Sequence, residues 1–128
     1  MDTTFLIDLM GRDSGAVSRT KALERAGEDV RIPAPALFEL WRGVHLAART
    51  APEAQRVTGL LALYPVVPLD AEAARVAGRA DAELLRLGQA MDPEDSMIAG
   101  ITLSLGETLL TRNVRHFSRV SGLRIQEY

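Results

Sequence analysis

A chain of 128 residues with 47% apolar and 25% charged side chains has the length and composition of one domain with an ordinary core, which excludes a disordered chain. It contains no cysteine, which excludes disulfides and thiolate metal sites and fits a reducing compartment. The net charge of −2 gives no overall pull toward nucleic acid, so such a partner needs a local basic patch. Arg112, Arg115, His116, Arg119 and Arg124 supply a candidate patch. The two histidines, His45 and His116, are too few for a His-rich zinc site. Any metal is therefore expected on oxygen ligands, which points to magnesium or manganese. Apolar runs are short and broken by charges, with no spanning segment or signal peptide, so a cytoplasmic location without a membrane partner is expected.

Along the chain, strand-like and helix-like segments alternate. Met1 to Thr3 reads as a strand remnant and Thr4 to Met10 as a short apolar helix. A turn over Gly11 to Gly15 leads to an amphipathic helix over Ala16 to Ala26, stopped by Gly27. Val30 to Ile32 is a short strand closed by Pro33. Leu37, Leu40, Trp41, Val44 and Ala48 recur at helical spacing, predicting a helix over Ala36 to Ala48. Pro52 to Leu63 is another helix with proline in its first turn. Tyr64 to Pro68 is a strand. Ala71 to Leu87 is a long helix with Asp70 as cap and Gly88 as stop. Pro93 to Leu105 is a helix with an acidic first turn, ended by Gly106. Thr108 to Thr111 is a strand, Asn113 to Phe117 a turn or short helix, and Leu123 to Ile125 a last strand. There is no repeat, low-complexity segment or linker. Strands separated by helices predict a parallel α/β sheet, in which ligands gather beyond the carboxyl ends of the strands.

Three acids stand among apolar neighbours at strand ends or helix starts: Asp2, Glu39 and Asp95. A carboxylate so placed is costly to bury unless it is paired or binds a cation, so three together suggest one acidic pocket. Each has a plainer reading. Asp2 fits a helix cap, with Thr3 beside it as a hydroxyl for water or phosphate. Glu39 borders the buried stripe of its helix and also fits a solvated position. Asp95 sits in the run Asp92-Pro93-Glu94-Asp95, where acids favour a helix N-terminus, but Ile98 and Ala99 place it over a buried face. Thr111-Arg112-Asn113 fits a turn after a strand, or a polar group beside a metal with Arg112 reaching phosphate. Arg115, His116 and Arg119 fit a phosphate-facing patch or a solvated face. Trp41 and Phe117 read as core, and Asp8 and Asp13 as surface or turn residues.

At these residues the chain resembles a PIN-domain ribonuclease, of the kind that serves as the toxin of a virulence-associated (VapBC-type) toxin–antitoxin pair. The matching stretches are Asp2-Thr3-Thr4-Phe5-Leu6-Ile7-Asp8, Phe38-Glu39-Leu40-Trp41-Arg42-Gly43, Asp95-Ser96-Met97-Ile98-Ala99 and Leu110-Thr111-Arg112-Asn113-Val114-Arg115-His116-Phe117. They occur in family order, and Gly122-Leu123-Arg124-Ile125 also fits. The resemblance implies a single PIN domain over residues 1–128, a three-layer α/β/α fold with a central, mainly parallel sheet. It implies a Mg²⁺-dependent (or Mn²⁺-dependent) endoribonuclease, commonly a homodimer, inhibited by a cognate antitoxin whose C-terminal segment enters the active-site groove. Asp2, Glu39 and Asp95 fall on the family's acidic positions and Asn113 on a polar position beside them. Asp2 and Asp95 are the expected direct metal ligands, and Thr111, Arg112 and Arg115 the expected contacts to RNA.

Two departures from the family pattern stand out. Family members carry several apolar residues before the first Asp, whereas Asp2 follows Met1 directly. The first strand is therefore expected to be truncated or to begin upstream. The acid that some members carry in the last motif is replaced by Asn113, with His116 as the later alternative, so one well-held ion is expected. The rival readings are a catalytically weak PIN-like module that binds RNA or protein, an aspartyl phosphatase of the haloacid dehalogenase type, and a structural interaction protein. The phosphatase wants a second Asp two residues after Asp2, where Thr4 stands.

Overall fold

The computed structural model describes residues 2–128. In chain order the elements are α1 (Thr3–Met10), α2 (Ser14–Arg25), β1 (Ile32–Pro33), α3 (Ala34–Leu46), α4 (Thr50–Leu63), β2 (Val66–Val67), α5 (Ala71–Arg86), α6 (Pro93–Ser104), β3 (Thr108–Leu110), α7 (Val114–Phe117) and β4 (Arg124–Gln126). Local chemistry sets most helix ends. Asp13 Oδ1 accepts from the Ala16 N–H at 3.0 Å and Asp70 Oδ1 from the Ala73 N–H at 2.8 Å, capping α2 and α5. Gly88 and Gly106, at φ 68° and 64°, take the left-handed turn that ends α5 and α6.

The strands pair in parallel, Ile32 opposite Val66 and Thr108 opposite Arg124. They form two two-stranded sheets, β1–β2 and β3–β4, where one central sheet was expected. The strands are only two or three residues long, and Pro33 brings no N–H to its edge. A cavity of about 460 Å³ is lined by Val30 and Arg31 beside one pair and by Thr108 and Leu110 of the other. The Arg31–Glu107 ion pair, at 3.1 Å, spans from one side to the other.

Asp2 makes one rung on β3. Its backbone is extended (φ −89°, ψ 176°), and its N–H donates to the Leu110 carbonyl at 3.2 Å. The helix then begins at Thr3, so the strand expected over Met1–Thr3 is reduced to that rung among the described residues; Met1 lies outside them. α3 and α4 each start two residues earlier than their apolar periodicity indicated, because the prolines Pro35 and Pro52 stand inside the first turn, where their missing N–H costs nothing.

Phe5, Leu6, Ile32, Ile98, Leu109 and Phe117 are fully enclosed, joining α1, α6, β3 and α7 in one core. The Tyr128 ring stands edge-on to Phe5 at 4.7 Å and brings the chain's end onto its beginning. α6 lies so close to α5 that a Cβ on Gly100 would sit 2.5 Å from Ala77 Cβ and 2.7 Å from Ala77 Cα. This contact fixes the depth of α6 and therefore of Asp95. Gly100→Ala is expected to push the two helices apart and destabilise the fold by about 1–3 kcal/mol, despite alanine's better helix propensity. Urea unfolding of the variant checks this; a stabilised protein would contradict the packing argument.

Candidate active site

Asp2 is 2% exposed and both of its carboxylate oxygens are held. Oδ1 accepts from the Phe5 N–H at 2.8 Å, the helix cap that the sequence suggested. Oδ2 accepts from the Thr111 hydroxyl at 2.5 Å, and the same hydroxyl oxygen accepts from the Asn113 N–H at 2.9 Å. Capping and a site role are therefore compatible, since the cap aims the carboxylate at the end of β3. Thr111 is fully buried, which corrects its expected contact with RNA: its hydroxyl orients Asp2 and has no exposed surface for a nucleotide. Asn113 is exposed at the N-cap of α7, where its side chain makes no cap hydrogen bond. The Thr3 hydroxyl considered above lies outside the described side chains.

Asp95 stands in the first turn of α6 and is half-buried. Its Oδ2 lies 3.0 Å from His116 Nε2, and His116 Nδ1 lies 2.8 Å from an Arg119 guanidinium nitrogen. Arg119 also donates from Nε to the His116 carbonyl at 3.1 Å and to the Gln89 carbonyl at 3.2 Å. This chain of contacts replaces the solvated face considered for Arg119. His116 and Arg119 are three residues apart across α7 and its cap, a spacing that could have announced their contact.

The acids do not all converge. Glu39 is half-buried on α3, with Arg42 of the same helix 3.6 Å away. Among the described residues no three Asp, Glu, His or Cys side chains meet closely enough to hold a metal. Arg112 differs from its expected role too. Its guanidinium lies 3.5 Å from Asp8 and 3.2 Å from Asp13, and 5.0 Å from the centre of the Tyr128 ring. The Tyr128 hydroxyl donates to the same Asp8 oxygen. Arg112 is thus a strut between α1, the α2 cap and the C-terminus. Asp8 and Asp13 are its acceptors, and Arg115, exposed like Arg112, is the arginine of the motif outside that cluster.

Electrostatics separates the two groups of acids. Burial raises the Asp2 carboxyl above the ordinary carboxylate range; the Thr111 and Phe5 hydrogen bonds pull against it, and the charge of Asp95 adds to the rise. Burial also raises Asp95, against the hydrogen bond from His116. Neither is paired with Lys or Arg among the described residues. Asp13, by contrast, is held low by the Ala16 N–H and by Arg112. Two desolvated carboxylates of like charge, close enough to feel each other, with oxygen donors only, fit a hard divalent cation whose remaining ligands are water.

The fold and this pair of acids define a PIN-type site, and the chain belongs to the PIN domain family, whose profile matches residues 1–123. Over 92 residues it is 36% identical to the tRNA(fMet)-specific endonuclease VapC of Shigella flexneri and 35% identical to that of Salmonella typhimurium; each match covers 72% of this chain and 70% of the relative. The solved structure of DNA-bound VapBC from Salmonella typhimurium superposes with a TM-score of 0.87 at 29% identity, covering 98% of this chain and 94% of that one. VapBC2 from Rickettsia felis, bound to a promoter DNA fragment, gives a TM-score of 0.91 at 20% identity over 99% and 96%, a likeness of fold alone.

The raised Asp2 carboxyl carries a pH-dependent stability. Below the ordinary carboxylate pKa of 3.8 both folded and unfolded chains are protonated there and nothing is lost. As pH rises from that value through the higher folded pKa, the unfolded chain ionises first and stability falls. Asp2→Asn keeps the cap through its amide oxygen, so without metal it is expected to be more stable than the parent at pH 7. The gap should close below pH 3.8. Thermal unfolding in EDTA at both pH values tests this; an Asn variant less stable at pH 7 would show that Asp2 is not a net cost to the metal-free fold.

Proposed function

We propose that this chain is an endoribonuclease activated by Mg²⁺ or Mn²⁺, acting as the toxin of a toxin–antitoxin pair. The observation that carries the reading is that Asp2, buried, and Asp95, half-buried, come from distant parts of the chain, feel each other's charge, and pair with no Lys or Arg among the described residues. The family and the VapC relatives, whose name specifies tRNA cleavage, support RNA as substrate. The VapBC structures support an antitoxin protein as partner. Family habit supports a homodimer. No helix among the described residues is long and apolar enough to cross a membrane.

Asp2 and Asp95 would hold the cation, which would supply Lewis-acid polarisation of a phosphoryl oxygen and a more acidic water for in-line attack. The protein's own groups do the rest. Thr111 and the Phe5 N–H fix Asp2 so that it needs no reorganisation. Glu39, on α3, orients water at the edge of the site. Asn113 offers an exposed amide beside Asp2 through Thr111, and Arg115 holds the RNA backbone by a charge-assisted hydrogen bond. A PIN-like module that binds without cutting is the second reading. It draws on one observation, the absence of a third converging acid among the described residues.

RNA cleavage measured with and without Mg²⁺ or Mn²⁺ separates the two. On the nuclease reading, Asp2→Asn and Asp95→Asn each reduce metal-dependent cleavage to background while circular dichroism stays unchanged. Unimpaired cleavage by both variants sinks the assignment. Arg115→Ala is expected to raise KM across RNA sequences with little change in kcat, and to reduce the salt slope of binding by about one.

A further inference from the structure

Asp95 meets a histidine whose tautomer is dictated by a third residue. Arginine carries donors only, so the Arg119 nitrogen 2.8 Å from His116 Nδ1 must be the donor of that contact. Nδ1 therefore presents its lone pair, and the ring proton sits on Nε2, from which it is donated to Asp95 Oδ2 at 3.0 Å. Arg119 is itself held at two backbone carbonyls, His116 and Gln89, so its direction is fixed from both α7 and the segment before α6. The His116 ring also stands edge-on to buried Phe117 at 5.3 Å. Each layer of this arrangement leaves the next with one orientation.

From this geometry we propose that His116 is a positioning residue for Asp95, locked by Arg119 as the Nε2–H tautomer. The proposal rests on the reading of Asp95 as a metal ligand. The Nε2–H donor fixes one carboxylate oxygen. The other oxygen, Oδ1, takes no hydrogen bond among the described residues and is the one offered to the cation. Such an outer partner sets both the aim and the basicity of a ligand, and its loss typically weakens metal binding about 10- to 100-fold.

Two measurements test it on the full chain. In the metal-free protein, nitrogen chemical shifts of the His116 ring should show a protonated Nε2 and an unprotonated Nδ1, and Arg119→Ala should mix the tautomers. In calorimetric titration with Mn²⁺, His116→Ala should bind about 10- to 100-fold more weakly, while His116→Gln, whose amide nitrogen reaches the Nε2 position, should recover much of that loss. RNA cleavage should follow the same order through kcat with KM little changed. A protonated Nδ1 in the parent protein overturns the proposal, as does parental Mn²⁺ affinity in a folded His116→Ala. If the alanine variant at His116 fails to fold, Arg119→Ala carries the comparison: parental Mn²⁺ affinity in that variant, with its tautomers mixed, likewise overturns the proposal. A parent that shows the expected tautomer and binds Mn²⁺ but cuts no RNA upholds the positioning role and removes the nuclease reading instead.

Discussion

Through the hydrogen bonds of Asp2 the first helix is tied to the end of β3. The Asp2 N–H holds Leu110, one carboxylate oxygen starts α1, and the other takes the Thr111 hydroxyl, which in turn holds the Asn113 N–H at the start of α7. Because Asp2 is enclosed, this bond set also carries a cost. A desolvated carboxylate is tolerated only as far as its donors satisfy it, and here desolvation outweighs them. The strain belongs to the charge and not to the backbone, so it is relieved by a cation and not by repacking.

A second acidic group shows what relief by a protein partner looks like. Asp8 and Asp13 face Arg112, and Tyr128 covers the cluster with its ring and reaches Asp8 with its hydroxyl. Burial and the neighbouring Asp8 hold the Tyr128 phenol well above its usual range, so it remains a donor. This cluster lies behind α1, fixing the helix whose first residue follows Asp2. The structure thus assigns Arg112 to bracing and, among the described residues, pairs neither Asp2 nor Asp95 with an arginine. A guanidinium on Asp2 or Asp95 would satisfy burial and abolish any affinity for a divalent cation.

The helices were largely legible because their signals are local. Asp70 and Gly88 bracket α5 to within one residue, and Asp13 caps α2 within the turn where it was read. The strands were legible as positions but not as a sheet. Two or three residues give no period to read, and the pairing of Thr108 with Arg124 or of Asp2 with Leu110 is set by the whole chain. The motif order grouped Asp2, Glu39 and Asp95 in one expected site, while the burial of Thr111, the diversion of Arg112 to Asp8 and Asp13, and the place of Tyr128 were hidden. Each of these depends on contacts across most of the sequence.

His116 draws these points together. A histidine could serve Asp95 as a cation, as a neutral donor or as an acceptor, and only the group behind it decides which. With a carboxylate at Nδ1 the ring would favour the charged form and would neutralise Asp95. With Arg119 there, Nδ1 must accept, and Nε2 is left to hold Asp95 in one orientation. The same residue type can therefore protect or cancel an acidic site. The distinction lies outside the motif, at a position three residues further on and a backbone carbonyl, Gln89, thirty residues before it.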